Sequence, residues 1–148
     1  MVHALKEAWR VLVPHGIMID VRPLSIDVPL EIAFEGGTES AGDIDLSPEI
    51  DKDIAADQAI ETVIKDRIYK EIYVEYFDFE YYWKTLKGME EDIEEYWKDE
   101  VVIPEQVSRR AHMLFNERRP RSRIRVALRM KLGKYERQEP STPAGIST

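Results

Sequence analysis

The chain has 148 residues with 21 Lys/Arg against 29 Asp/Glu, a net charge of -8, and 43% hydrophobic residues. One domain with a real core is the expectation, and the absence of cysteine excludes a disulfide framework and thiolate chemistry. No apolar run approaches the roughly 20 residues of a membrane span, and Lys6, Glu7 and Arg10 interrupt the N-terminal apolar positions, so neither a signal peptide nor a membrane contact is expected and the location is read as cytoplasmic.

His3 to Val13 reads as a helix, with Ala4, Leu5, Ala8 and Leu12 at helical spacing. Pro14 and Gly16 stop it. Ile17 to Val21 is apolar except for Asp20, which predicts a strand covered on both faces and closed by Arg22-Pro23. Leu30–Phe34 and Ser40–Leu46 flank Gly36-Gly37, the pattern of an inserted β-hairpin. Ser47-Pro48 opens a helix to about Arg67, whose apolar stripe is Ile50, Ile54, Ile60 and Ile64.

Ile68 to Phe79 is rich in β-branched and aromatic residues and reads as a strand, with Glu80 onward turning helical. Met89, Ile93, Tyr96 and Trp97 mark one short helix. Val107, Ala111, Leu114 and Phe115 mark another, entered after Pro104 and ended by Pro120. From Ser122 to Leu132, Ile124, Val126, Leu128, Met130 and Leu132 alternate with a basic face, predicting a strand antiparallel to the Tyr-rich one, with Glu71 and Glu75 near Arg125 and Arg129. Residues 1–137 are read as one domain, and 138–148, rich in Pro, Ser and Thr, as a flexible tail.

Charge is uneven. Residues 108–137 hold 11 Lys/Arg against 2 Asp/Glu, while 1–107 hold 10 against 26. The basic segment is either an anion surface or an internal partner for the acidic remainder. The strongly acidic whole disfavours nucleic acid as a partner. His3, His15 and His112 lack companions at metal-ligand spacing, and Glu90 to Glu95 lacks the alternation and turn glycine of a calcium loop. No nucleophile elbow, P-loop or dinucleotide fingerprint occurs. Catalytic, cofactor-binding and metal residues are therefore all read as none.

Four residues stand out as substrate-binding candidates. Asp20 and Arg22 lie at the C-terminal end of a strand, where open α/β sheets place ligands; the alternative is a structural Asp–Arg pair. Tyr82 and Trp83 belong to an aromatic group with Tyr76, Phe77, Phe79 and Tyr81, suited to core or interface packing or to stacking a planar ligand.

The stretch Leu5 to Val21, with Glu7, Arg10, Val11, Leu12, Pro14 and Gly16, resembles the helix–turn–strand segment of class I S-adenosylmethionine-dependent methyltransferases. His15 replaces the first of the two usual turn glycines. The resemblance implies a fold class of α/β: a partial Rossmann-like domain with a small mixed sheet. Ile17–Val21, Ile68–Phe79 and Ser122–Leu132 take the roles of the fifth, sixth and seventh strands, the last antiparallel and central. No residue matches the family's glycine loop or ribose-binding acid. The implied function is a truncated methyltransferase-like module without its own cofactor, assembling as a homo-oligomer through the Ile17–Val21 edge or the Leu30–Leu46 hairpin. The alternative is the substrate-side half of a split enzyme, with S-adenosylmethionine held by a cofactor-binding partner subunit.

Overall fold

A computed structural model describes residues 1–117 and 119–140. Residues 1–137, read as one domain, form two compact units. The first comprises Met1–Arg22, Ile54–Tyr76 and the chain from Lys131; the second comprises Pro23–Asp53 and Phe77–Met130.

In chain order the elements are α1 (Val2–Val11), β1 (Ile17–Pro23), β2 (Val28–Phe34), β3 (Gly37–Ile44), a 3-10 turn at Ser47–Glu49, α2 (Ile50–Lys65), β4 (Tyr69–Trp83), α3 (Leu86–Tyr96), α4 (Glu105–Asn116) and β5 (Arg123–Arg137). The α/β class stands. The sheet, however, is antiparallel rather than mixed: its order is β1-β5-β2-β3, with β4 also paired to β5. β5 is central, and because every other pairing but β2–β3 is made to it, no parallel βαβ neighbours of a Rossmann-like sheet arise.

The first unit is built around β1, the C-terminal half of β5 and the N-terminal half of β4. Arg137 N donates to Gly16 O (2.8 Å) and Gln138 N to Ile68 O (2.9 Å), so successive amides at the end of β5 and just past it serve opposite edges. α1 contributes Leu5 and α2 contributes Ala59, Ile60 and Val63 to a core closed by the sheet residues Tyr69 and Tyr135. The expected stripe of α2 is half right. Ile50 and Ile54 are about half exposed, and Ala56, Ala59 and Val63 are buried in their place with Ile60. Small residues let a helix approach a sheet closely, a signal that a search for large aliphatic side chains passes over.

The second unit holds the larger core. Val28, Leu30 and Ile32 of β2 and Ala41 and Ile44 of β3 pack with Leu86 and Met89 of α3, Val107, Ala111 and Leu114 of α4, and Ile124 and Val126 of β5. The hairpin is therefore not an appended insertion. β2 pairs antiparallel with β5, Leu30 facing Val126 and Ile32 facing Ile124. Within the hairpin Phe34 pairs with Gly37, and a bulge falls between Leu30 and Glu31. β4 runs to Trp83, beyond the expected end at Phe79. Thr85 stops it by capping α3, its Oγ1 accepting from Gly88 N at 3.0 Å. Tyr96, assigned to the apolar stripe of α3, is exposed.

β5 extends to Arg137, past the expected Leu132, and its buried positions change parity. Ile124 and Val126 are buried in its first half, Gly133 and Tyr135 in its second. Of the expected tail, residues 141–148 lie outside the described residues, whereas the carbonyl of Gln138 accepts from Trp9 Nε1 at 2.8 Å.

Candidate functional site

The turn before β1 is set by sterics. A Cβ on Gly16 would lie 2.7 Å from Val13 O, so only glycine fits there. His15 adopts φ +62°, the left-handed region that favours glycine, and its Nδ1 lies 3.0 Å from Glu136 Oε1.

β1 itself is inside out. Instead of being covered on both faces it alternates: Ile17, Ile19 and Val21 are 38%, 60% and 48% exposed, while Met18, Asp20 and Arg22 are half-buried. The reason lies in the polar partners waiting on the inner side. Arg22 Nε donates to Asp20 Oδ2 at 3.0 Å, Arg22 Nη2 donates to Asp57 of α2, and Lys131 Nζ reaches the same Asp57 oxygen at 3.1 Å. Two cations thus meet two carboxylates. Burial works to raise the Asp57 carboxyl, but the hydrogen bonds from Arg22 and Lys131 outweigh it and hold the group below the usual range. Tyr135 lies in the same core, and burial, reinforced by the Glu71 and Asp20 carboxylates, pushes its phenol up to about 12. Among the described residues β1 pairs with β5 and no strand is paired to its other edge.

Asp20 and Arg22 are therefore together and bonded to each other, the geometry of the structural pair. Asp57 and Lys131, which complete their network, were not among the candidates. Asp57 lies off the expected apolar stripe of α2, and only the fold shows that it meets the strand. Tyr82 and Trp83 belong to the second unit and alternate along β4. Trp83 joins an aromatic cluster, stacked on Tyr81 (centroids 5.9 Å, planes at 13°) and edge-on to Trp97, with Nε1 donating to Asp92 at 2.7 Å. Tyr82 is exposed, with the Arg123 guanidinium 4.9 Å from its ring centroid.

The basic segment partners the acidic remainder at several points, but not at the expected ones. Arg125 meets Glu31 (2.7 Å) and Glu80, and Arg129 meets Asp78 (3.2 Å), in place of Glu71 and Glu75. The antiparallel sense was right and the register was not: both strands run past their expected ends, β4 to Trp83 and β5 to Arg137. Arg119 meets Glu39 (2.9 Å) and Glu117. Among the described residues no group of three or more His, Asp or Glu is placed to hold a metal ion, and no helix is long and apolar enough to cross a membrane.

No family model, curated protein or solved structure matches the chain.

Proposed function

We propose that the chain is a methyltransferase-like binding module, with no S-adenosylmethionine site of its own, whose interface is the free edge and open apolar face of β1. The observation that carries this reading is the exposure of Ile17, Ile19 and Val21 on a strand with no strand paired to one of its edges among the described residues. Apolar side chains beside open N–H and C=O groups form a template for another strand. The stripe is also self-complementary. Antiparallel pairing about Ile19 sets Ile17 against Val21 of a second copy, as a twofold interface requires.

The family part of the reading draws support from the first unit. There β5 lies between β1 and β4 and antiparallel to both, the order that the resemblance implies for the family's last three strands, while the connection from β1 to β4 runs through the β2–β3 hairpin and α2. The left-handed φ of His15 adds to it, since that is the position where the family pattern has glycine.

Light scattering on the eluting peak of a sizing column tests the interface. A dimer at micromolar concentration that Ile19→Arg converts to monomer supports the proposal; a stable wild-type monomer without a co-purifying chain overturns it. Calorimetric titration with S-adenosylmethionine is expected to give no heat, and measurable binding refutes the exclusion of the cofactor.

The free edge also favours a second reading, in which this is the substrate-side half of a split methyltransferase. A cofactor-binding partner then adds its strand to β1 in place of a second copy. A heterodimer that binds S-adenosylmethionine while this chain alone does not is the outcome that selects it.

A further inference from the structure

A separate feature of the second unit does not depend on β1. Arg121 and Arg123 line a cavity of about 200 Å³ together with Ala33, Phe34 and Glu35. Unlike Arg119, Arg125 and Arg129, neither has a carboxylate partner among the described residues; Arg123 rests instead against the Tyr82 ring.

The wall of this cavity is fixed in place. Glu35 N donates to Pro120 O at 3.0 Å, and Ser122 N and Oγ both donate to Arg119 O, at 3.2 and 2.8 Å. The Arg119 guanidinium, held by Glu39 and Glu117, lies 4.3 Å from the Phe34 ring centroid. Arg121 is kept at φ +58°, a backbone conformation that arginine rarely adopts. Strain of this sort persists where the surroundings over-determine it and clusters at ligand clamps. Arg121 and Arg123 thus bring two guanidiniums without an ion pair among the described residues to a cavity whose wall is held by backbone hydrogen bonds.

We propose that this cavity binds the phosphate group of a small hydroxylated phosphomonoester. Two guanidiniums match a doubly charged tetrahedral oxyanion, with more donors than one carboxylate can use. The space of about 200 Å³ is enough for a phosphate and a short chain. Glu35 is placed to accept from a hydroxyl of that chain and disfavours a second phosphate. The proposal also gives a role to the part of the basic segment that internal ion pairs leave over.

The test is calorimetric titration of the full chain at low salt with glycerol 3-phosphate, inorganic phosphate and succinate. Glycerol 3-phosphate is expected to bind in the millimolar range or tighter, with succinate about tenfold weaker. Arg121→Gly, which relieves the backbone, and Arg123→Gln are each expected to weaken binding about tenfold, with the thermal midpoint of Arg121→Gly unchanged or raised. No heat up to about 10 mM glycerol 3-phosphate overturns the proposal, as does affinity that neither substitution changes. Succinate binding as tightly overturns the phosphate assignment. A single-stranded oligonucleotide that binds where glycerol 3-phosphate does not reassigns the two arginines to a nucleic-acid backbone and likewise overturns it.

Discussion

The His15 imidazole lies 3.0 Å from the Glu136 carboxylate, joining the left-handed turn before β1 to the end of β5. The His15 side chain is 76% exposed, so the contact contributes little in water. The backbone dominates the expected behaviour of this site. His15→Gly removes a left-handed L-residue and is expected to be neutral or stabilising by up to about 1 kcal/mol, while β-branched His15→Val costs about 1–2 kcal/mol. Urea unfolding of the two variants checks the sign. A marked loss for His15→Gly would show that the side-chain contact with Glu136 matters more than the turn.

Gly133 is fixed by a neighbour on its own strand. A Cβ there would lie 2.3 Å from Tyr135 Oη and 2.5 Å from Cε2, and Tyr135, 1% exposed, has no room to withdraw. Gly133→Ala is expected to cost about 1–3 kcal/mol by overpacking. In a Tyr135→Leu background the same change is expected to cost clearly less, and a double-mutant cycle without coupling would contradict the geometry.

Tyr135 also predicts a pH dependence. Its phenol is pushed up to about 12 from an ordinary value near 10, by burial first and by nearby carboxylates second. A raised folded value favours the protonated form. The stability it brings is complete below about pH 10 and is lost as pH rises from there through about 12, to a total of about 2 kcal/mol. Burial of Tyr69 and the Glu75 carboxylate beside Tyr73 hold those phenols above the ordinary value as well, so phenolate absorbance should show a late-titrating group from which Tyr135→Phe removes one tyrosine, together with that part of the alkaline destabilisation.

Asp57 predicts the opposite limb. Arg22 and Lys131 hold it below the usual carboxylate range against the pull of burial. Stability from this group is present above its unfolded value and declines as pH falls through the lower folded one. Asp57→Asn is therefore expected to flatten the acid limb of the stability profile, at a cost near 1 kcal/mol at neutral pH because its side chain is 47% exposed. Arg22→Ala, which strands the half-buried Asp20, is expected to cost about 2 kcal/mol. An unchanged acid limb in Asp57→Asn would remove Asp57 from the network.

Periodicity and punctuation located most elements, because α4 entered by Pro104, the Gly36 turn and the alternation of β5 express local physics. What they missed was set by tertiary partners. Ile17, Ile19 and Val21 are the most apolar side chains of β1 and were expected inside; Arg22 takes the inner face because Asp57 of α2 receives it there. The same remoteness hid the pairing of Arg125 with Glu31, 94 positions away. Asp20 and Arg22 were legible as a pair, whereas Asp57, Lys131 and the cavity beside Arg121 came from elements no local pattern connects.

The indole of Trp9 donates to Gln138 O and sits beneath the Arg137 guanidinium, 4.1 Å from its ring centroid, while Trp83 and Trp97 contact each other in the second unit. With three tryptophans in all, each unit carries its own optical reporter. A Trp83→Phe/Trp97→Phe chain emits only from the first unit and a Trp9→Phe chain only from the second. Whether the two halves melt together or in turn is thereby open to a fluorescence measurement that needs no label.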